Sequence, residues 1–83
     1  MADSYSNIEQ LVRYLVESLV DSPESVVVAG ELDEGVLRLT ITADPADVGK
    51  VIGRSGRTIK SIRTLARAAA SNSSFSVDVD VDG

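Results

Sequence analysis

Val51-Ile52-Gly53-Arg54-Ser55-Gly56-Arg57 is the stretch from which the rest of the chain is read. It has the pattern of a helix ending, a turn bracketed by two glycines three apart, and a second helix beginning. Glycine tolerates a left-handed backbone and carries no Cβ to hold a ligand away. The helix that follows turns its first N–H groups, and the positive end of its dipole, onto the turn. A corner of this kind can seat a phosphate. Basic residues crowd it: Lys50, Arg54, Arg57, Lys60, Arg63 and Arg67.

Working back from the corner, Val48, Val51 and Ile52 are the apolar residues of a short helix. Asp44 is placed to cap it, Pro45 suits its first turn, and Asp47 lies where the dipole favours negative charge. Before it, Val36 to Thr42 alternates in the manner of a strand, with Leu37, Leu39 and Ile41 on one side. Arg38 falls on the other side, solvated or facing the groove. Ser25 to Ala29 is β-branched and reads as the preceding strand. Glu31 to Gly35 is polar and predicts a hairpin loop of several residues. Farther upstream, Ser6 and Glu9 fit a capping box. Ile8, Leu11, Val12, Leu15, Val16 and Leu19 then recur at helical spacing until Asp21-Ser22-Pro23 ends the run.

Working forward, a long helix is expected from near Gly56 to about Ser71. Ile59, Ile62, Leu65, Ala66 and Ala69 form its core stripe, and Arg57, Lys60, Arg63 and Arg67 lie away from it. The final segment alternates strictly: Phe75, Val77, Val79 and Val81 against Ser74, Ser76, Asp78, Asp80 and Asp82. That is a strand with one buried face. The aspartate row lacks the glycine and distal glutamate of a calcium loop and reads as the solvated face. The expected class is α+β, in the order α-β-β-α-α-β, with a three-stranded mixed sheet covered on one face by three helices. Three strands cannot close a barrel and must be covered.

Composition narrows the function. Eighty-three residues make one domain with a modest core, expected to span 1–83 with 1–6 flexible. There is no cysteine and no histidine, which removes disulfides, thiolate zinc sites and every histidine-dependent triad. The net charge of −5 is uneven: Lys50 to Arg67 carries +6 with no acid, and the remainder carries −11. A local basic strip steers polyanions, while the acidic remainder weakens long-range attraction. Gly49-Lys50 lacks the surroundings of a P-loop, and the glycine spacing does not match the dinucleotide fingerprint. No enzyme activity, cofactor, metal or small-molecule substrate is expected. Met1 to Asn7 has no basic or apolar signal character, and no run could span a bilayer, so a cytoplasmic protein is expected.

The residue types around the corner suit single-stranded RNA, whose backbone is accessible and whose bases are splayed. Gly53 and Gly56 permit approach, and Arg54 and Ser55 can donate to phosphate. Lys50, Arg57 and Lys60 extend the positive strip. Val51, Ile52, Ile59 and Ile41 are candidates for an apolar groove floor. No aromatic residue lies in the corner, so base stacking is not the main term. A dimerisation module with secondary RNA binding, and a helix-turn-helix DNA binder, are the alternatives.

With these residues in view, the chain resembles a KH domain. Gly49-Lys50-Val51-Ile52-Gly53-Arg54-Ser55-Gly56-Arg57 is similar to the family's VIGxxG motif, and Ile59-Lys60-Ser61-Ile62-Arg63 fits downstream. The element order resembles the type II arrangement, and within it the small bacterial single-KH RNA-binding proteins. The resemblance implies that Gly53, Arg54, Ser55 and Gly56 clamp the RNA backbone, flanked by Lys50, Arg57 and Lys60, with Ile52 and Ile59 at the groove. It further implies a homodimer, or a heterodimer with a larger KH protein of the Jag type. RNA chaperoning and control of cell shape and envelope homeostasis are the roles implied.

Overall fold

The computed structural model describes residues 5–82. The order of elements is α1 (Ser6–Glu17), β1 (Val27–Asp33), β2 (Val36–Thr42), α2 (Val48–Ile52), α3 (Arg57–Ala69) and β3 (Ser76–Asp82), with single 3-10 turns at Pro23–Ser25, Pro45–Asp47 and Arg54–Gly56. This is the α-β-β-α-α-β order of a type II KH fold. β2 is central, antiparallel to β1 and parallel to β3.

Each strand's inward positions are apolar for a reason of period. Leu37, Leu39 and Ile41 of β2 and Val77 and Val79 of β3 point to the helical layer and are buried. Ile8, Val12 and Val16 of α1, Val51 of α2, and Ile62 and Ala66 of α3 meet them to form one core. The three helices lie on that face. The opposite face is open, and the register lines Arg38 up between Glu31 and Asp78 across it. Among the described residues no helix is long and apolar enough to cross a membrane.

Several local expectations are corrected. α1 begins at Ser6 with Tyr5 in the cap position, so Ser6 is the first helical residue rather than the cap. Of the segment 1–6 expected to be flexible, residues 1–4 lie outside the described residues. α1 stops at Glu17, where the Ser18 hydroxyl donates to Tyr14 O at 2.8 Å, and Leu19 is exposed. The hairpin is tighter than expected. Its turn is Glu34-Gly35, both at positive φ, as a two-residue connection between twisted strands demands. The polar stretch Glu31 to Asp33 belongs to β1, which can be polar there because the last three residues of this edge strand are exposed. On α3, Leu65 and Ala69 face solvent, and the inward stripe is Ile62, Ala66 and the following Ala70.

The expected cap falls not on α2 itself but on the 3-10 turn Pro45–Asp47 that leads into it, and Asp47 holds the cap position of α2. Asp44 accepts the Ala46 N–H at 2.9 Å, and Pro45 occupies the first turn. The short helix is thereby started close to the end of β2, and its far end delivers Gly53 to the surface.

Candidate nucleic-acid interface

The corner is built by three residues at positive φ within four. Gly53 has φ 79° and ψ 169°, Ser55 φ 58° and ψ 25°, and Gly56 φ 73° and ψ 16°. Gly53 N–H closes α2 on Gly49 O at 2.8 Å, and Gly56 N–H reaches back to Gly53 O at 3.1 Å. Arg57 N–H goes to Arg54 O, and α3 then runs on. The chain thus leaves one helix and enters the next within four residues.

The two glycines serve different ends. A Cβ on Gly53 would strike the Thr58 side chain and lie 2.8 Å from the Thr58 backbone nitrogen. Gly53 is therefore bare because α3 folds back tightly onto it. A Cβ on Gly56 would meet nothing within 4 Å. Gly56 is bare on the open side, where a ligand's backbone can approach. Ser55 is held left-handed at the apex although it has a Cβ, at a cost of about 1 kcal/mol. Strain of this kind collects at functional turns.

Arg54, Ser55, Arg57 and Lys60 are all exposed around this turn. Among the described residues, none of the three cations makes an ion pair. Ile52 is 38 % exposed beside the turn, whereas Ile59 is half-buried and packs against the core. Val51 and Ile41 are fully buried, so of the four apolar groove candidates they serve the core alone.

Lys50 is placed differently. Its ammonium lies 2.5 Å from Asp21 Oδ2 and 3.3 Å from Asp47 Oδ1. Asp47 is 2 % exposed, the one buried charged residue among those described, and its other oxygen takes the Ser22 N–H at 3.0 Å. Burial pushes the Asp47 carboxyl up. The backbone N–H groups of Ser22 and Asp21 and the Lys50 ammonium outweigh it, and the carboxyl is held below its ordinary value. Hydrogen bonds from Lys50 to Asp21 and then to Asp47 raise the lysine above its usual value, against the effect of burial.

Arg63 and Arg67 also leave the corner. Arg63 donates through Nε and Nη2 to Val79 O at 3.3 and 2.9 Å, and Arg67 through Nε to Val77 O at 3.2 Å. Ser76 N–H is given to Gly35 O at 2.9 Å, on the β2 side. In β3 the even-numbered residues therefore turn their peptide groups to β2, and the odd-numbered ones turn outward. The two arginines cover carbonyls on the sheet's outer border. The match is one of pitch. Four residues of helix rise about 6 Å, and two residues of strand about 6.6 Å.

A family model described as KhpA/KhpB, KH domain, matches residues 9–81. The chain is 42 % identical over 74 residues to a protein of Clostridium perfringens named RNA-binding protein KhpA, covering 89 % of this chain and 99 % of that one. It is 39 % identical over 74 residues to the protein of the same name from Clostridium acetobutylicum, again covering 89 % and 99 %. Among solved structures, Aquifex aeolicus Era bound to GDP and aluminium fluoride superposes with a TM-score of 0.68 at 17 % identity, over 98 % of this chain and 31 % of that one. At that identity the likeness is one of fold.

Proposed function

The chain belongs to the KhpA/KhpB KH-domain family, and on that premise we propose that it forms a single KH domain over 1–83 that binds single-stranded RNA at the Gly53–Gly56 corner. It acts as a binding module without catalysis. Arg54 and Ser55 donate to phosphate, Arg57 and Lys60 extend the positive strip, and Ile52 offers an apolar edge to bases. The observation that supports this best is a strained, uncovered turn whose three nearby cations have no carboxylate partner among the described residues. Few aromatics and few base-reading groups surround it, which favours tolerance of sequence. A chaperone or post-transcriptional role is supported by the family resemblance, with the cytoplasm as its expected setting. The link to cell shape, and to a larger Jag-type KH partner, is supported by the family resemblance alone.

Competition separates this reading from a helix-turn-helix DNA binder. Unlabelled single-stranded RNA displaces a labelled RNA probe, and duplex DNA of the same sequence does so at least tenfold less well. Equal competition by the duplex would overturn the assignment. Binding should also weaken with salt along a slope of about −0.7 for each phosphate engaged.

Self-association is favoured by one observation. Leu65 is 49 % exposed on the outer side of α3, with Ser61 and Ala68 exposed beside it. A second copy covering that stripe would set two weak clamps on one strand and gain avidity. Light scattering of the purified protein then gives the mass of two chains, and Leu65→Glu gives the mass of one with the fold intact. A single-chain mass for the unaltered protein excludes this assembly.

A further inference from the structure

We infer that Asp21, backed by Asp47, withholds Lys50 from the corner, so that one of the chain's own surface carboxylates sets how tightly RNA is held. This rests on the RNA-binding reading above and adds a residue that touches no RNA.

Lys50 lies three residues before Gly53 on α2. Helical side chains lean toward the helix N-terminus. The Lys50 ammonium accordingly falls back, away from the turn, onto Asp47 at i−3 and onto Asp21 across the α1–β1 connection. The two carboxylates differ in kind. Asp47 is buried and anchored by the Ser22 N–H, so it cannot leave. The Asp21 side chain is 80 % exposed and makes the shorter contact with the ammonium. Exposed ion pairs are weak and readily exchanged. A phosphate seated at the corner therefore competes with Asp21 for the same ammonium, and a lysine stem is long and flexible enough to turn to it. While Asp21 holds on, the corner has Arg54, Arg57 and Lys60. When Asp21 lets go, it gains a fourth cation.

The test is a double-mutant cycle read by fluorescence anisotropy with a labelled, mixed-sequence single-stranded RNA of about ten nucleotides. Asp21→Asn keeps the backbone and the side-chain shape but loses the charge. It should tighten binding about three- to fivefold and steepen the salt slope by about 0.7, as one more phosphate contact would. Glu24→Gln changes the net charge equally on the same connection and should move neither quantity appreciably. Lys50→Ala should abolish the gain, so that Asp21→Asn in that background binds as Lys50→Ala alone. Thermal melting confirms that each variant is folded. Equal effects of Asp21→Asn and Glu24→Gln would overturn the inference, because the effect would then be one of net charge. Persistence of the gain without Lys50 would overturn it too. If neither the unaltered protein nor Asp21→Asn binds RNA, the RNA reading itself fails, and this inference with it.

Discussion

Replacing Arg54 and Ser55 together by aspartate lowers affinity for single-stranded RNA at least about 100-fold while the protein melts within a few degrees of the unaltered chain. The two charge-assisted hydrogen bonds of the proposed clamp are lost, each worth about 1.5 kcal/mol or more, and every 1.4 kcal/mol is about tenfold in affinity. Repulsion by two new carboxylates adds to the loss. Stability is preserved for three reasons. Both side chains are exposed. Aspartate is among the residues that tolerate the left-handed conformation seen at Ser55. Negative charge just ahead of α3 is favourable to the helix dipole. The variant thus separates the clamp from the fold: retention measured on immobilised RNA should vanish, and melting followed by circular dichroism should not move. Normal retention by the doubly acidic variant would show that the corner is only a bend.

The two glycines should behave unequally when each is made alanine. Gly53 has a combination of φ and ψ that is essentially confined to glycine. The added Cβ would also press on the backbone nitrogen of Thr58, which cannot rotate away as the Thr58 hydroxyl can. Gly53→Ala is expected to cost about 3 kcal/mol, or on the order of 15 °C in melting temperature for a domain of this size. Gly56→Ala meets open space and bears only the left-handed penalty, about 1 kcal/mol. Its melting temperature should fall by about 5 °C, and its RNA affinity should suffer out of proportion, since a methyl group then stands on the open side that the proposed clamp offers to the sugar–phosphate chain. Calorimetry and anisotropy on the two variants test this pair of outcomes. Equal losses of stability would contradict this division of labour between the two glycines.

What could be read from the chain alone follows from how local each signal is. The corner was legible because two glycines three apart, flanked by helical spacing and basic residues, are contained within a few positions. β3 is legible because Val77, Val79 and Val81 alternate with polar residues over the whole strand. The sequence places β1 two residues early and ends it four short, because Ser25 closes a 3-10 turn and an edge strand open near its own turn need not alternate: Glu31, Leu32 and Asp33 are all exposed. Helical spacing puts Leu65 in the core stripe, but spacing assigns a residue to a helix face without saying how much of that face a neighbour covers. The pairings that reassign the cations were beyond reach. Lys50 meets a residue 29 positions away, Arg63 one 16 away and Arg67 one 10 away. Nothing in a basic stripe on a helix tells which of its members will turn to a strand border and which to solvent.

The arginine-covered border of β3 has a consequence for assembly. Sheets lengthen by adding a strand to an unguarded margin. Here one margin has the carbonyls of Val77 and Val79 already engaged by Arg63 and Arg67, which leaves the β1 side the more open to a newcomer. Two molecules that met through their β1 margins would present the arginine-covered margins outward. Growth by this route is thereby biased to stop at a pair rather than run on into a fibre.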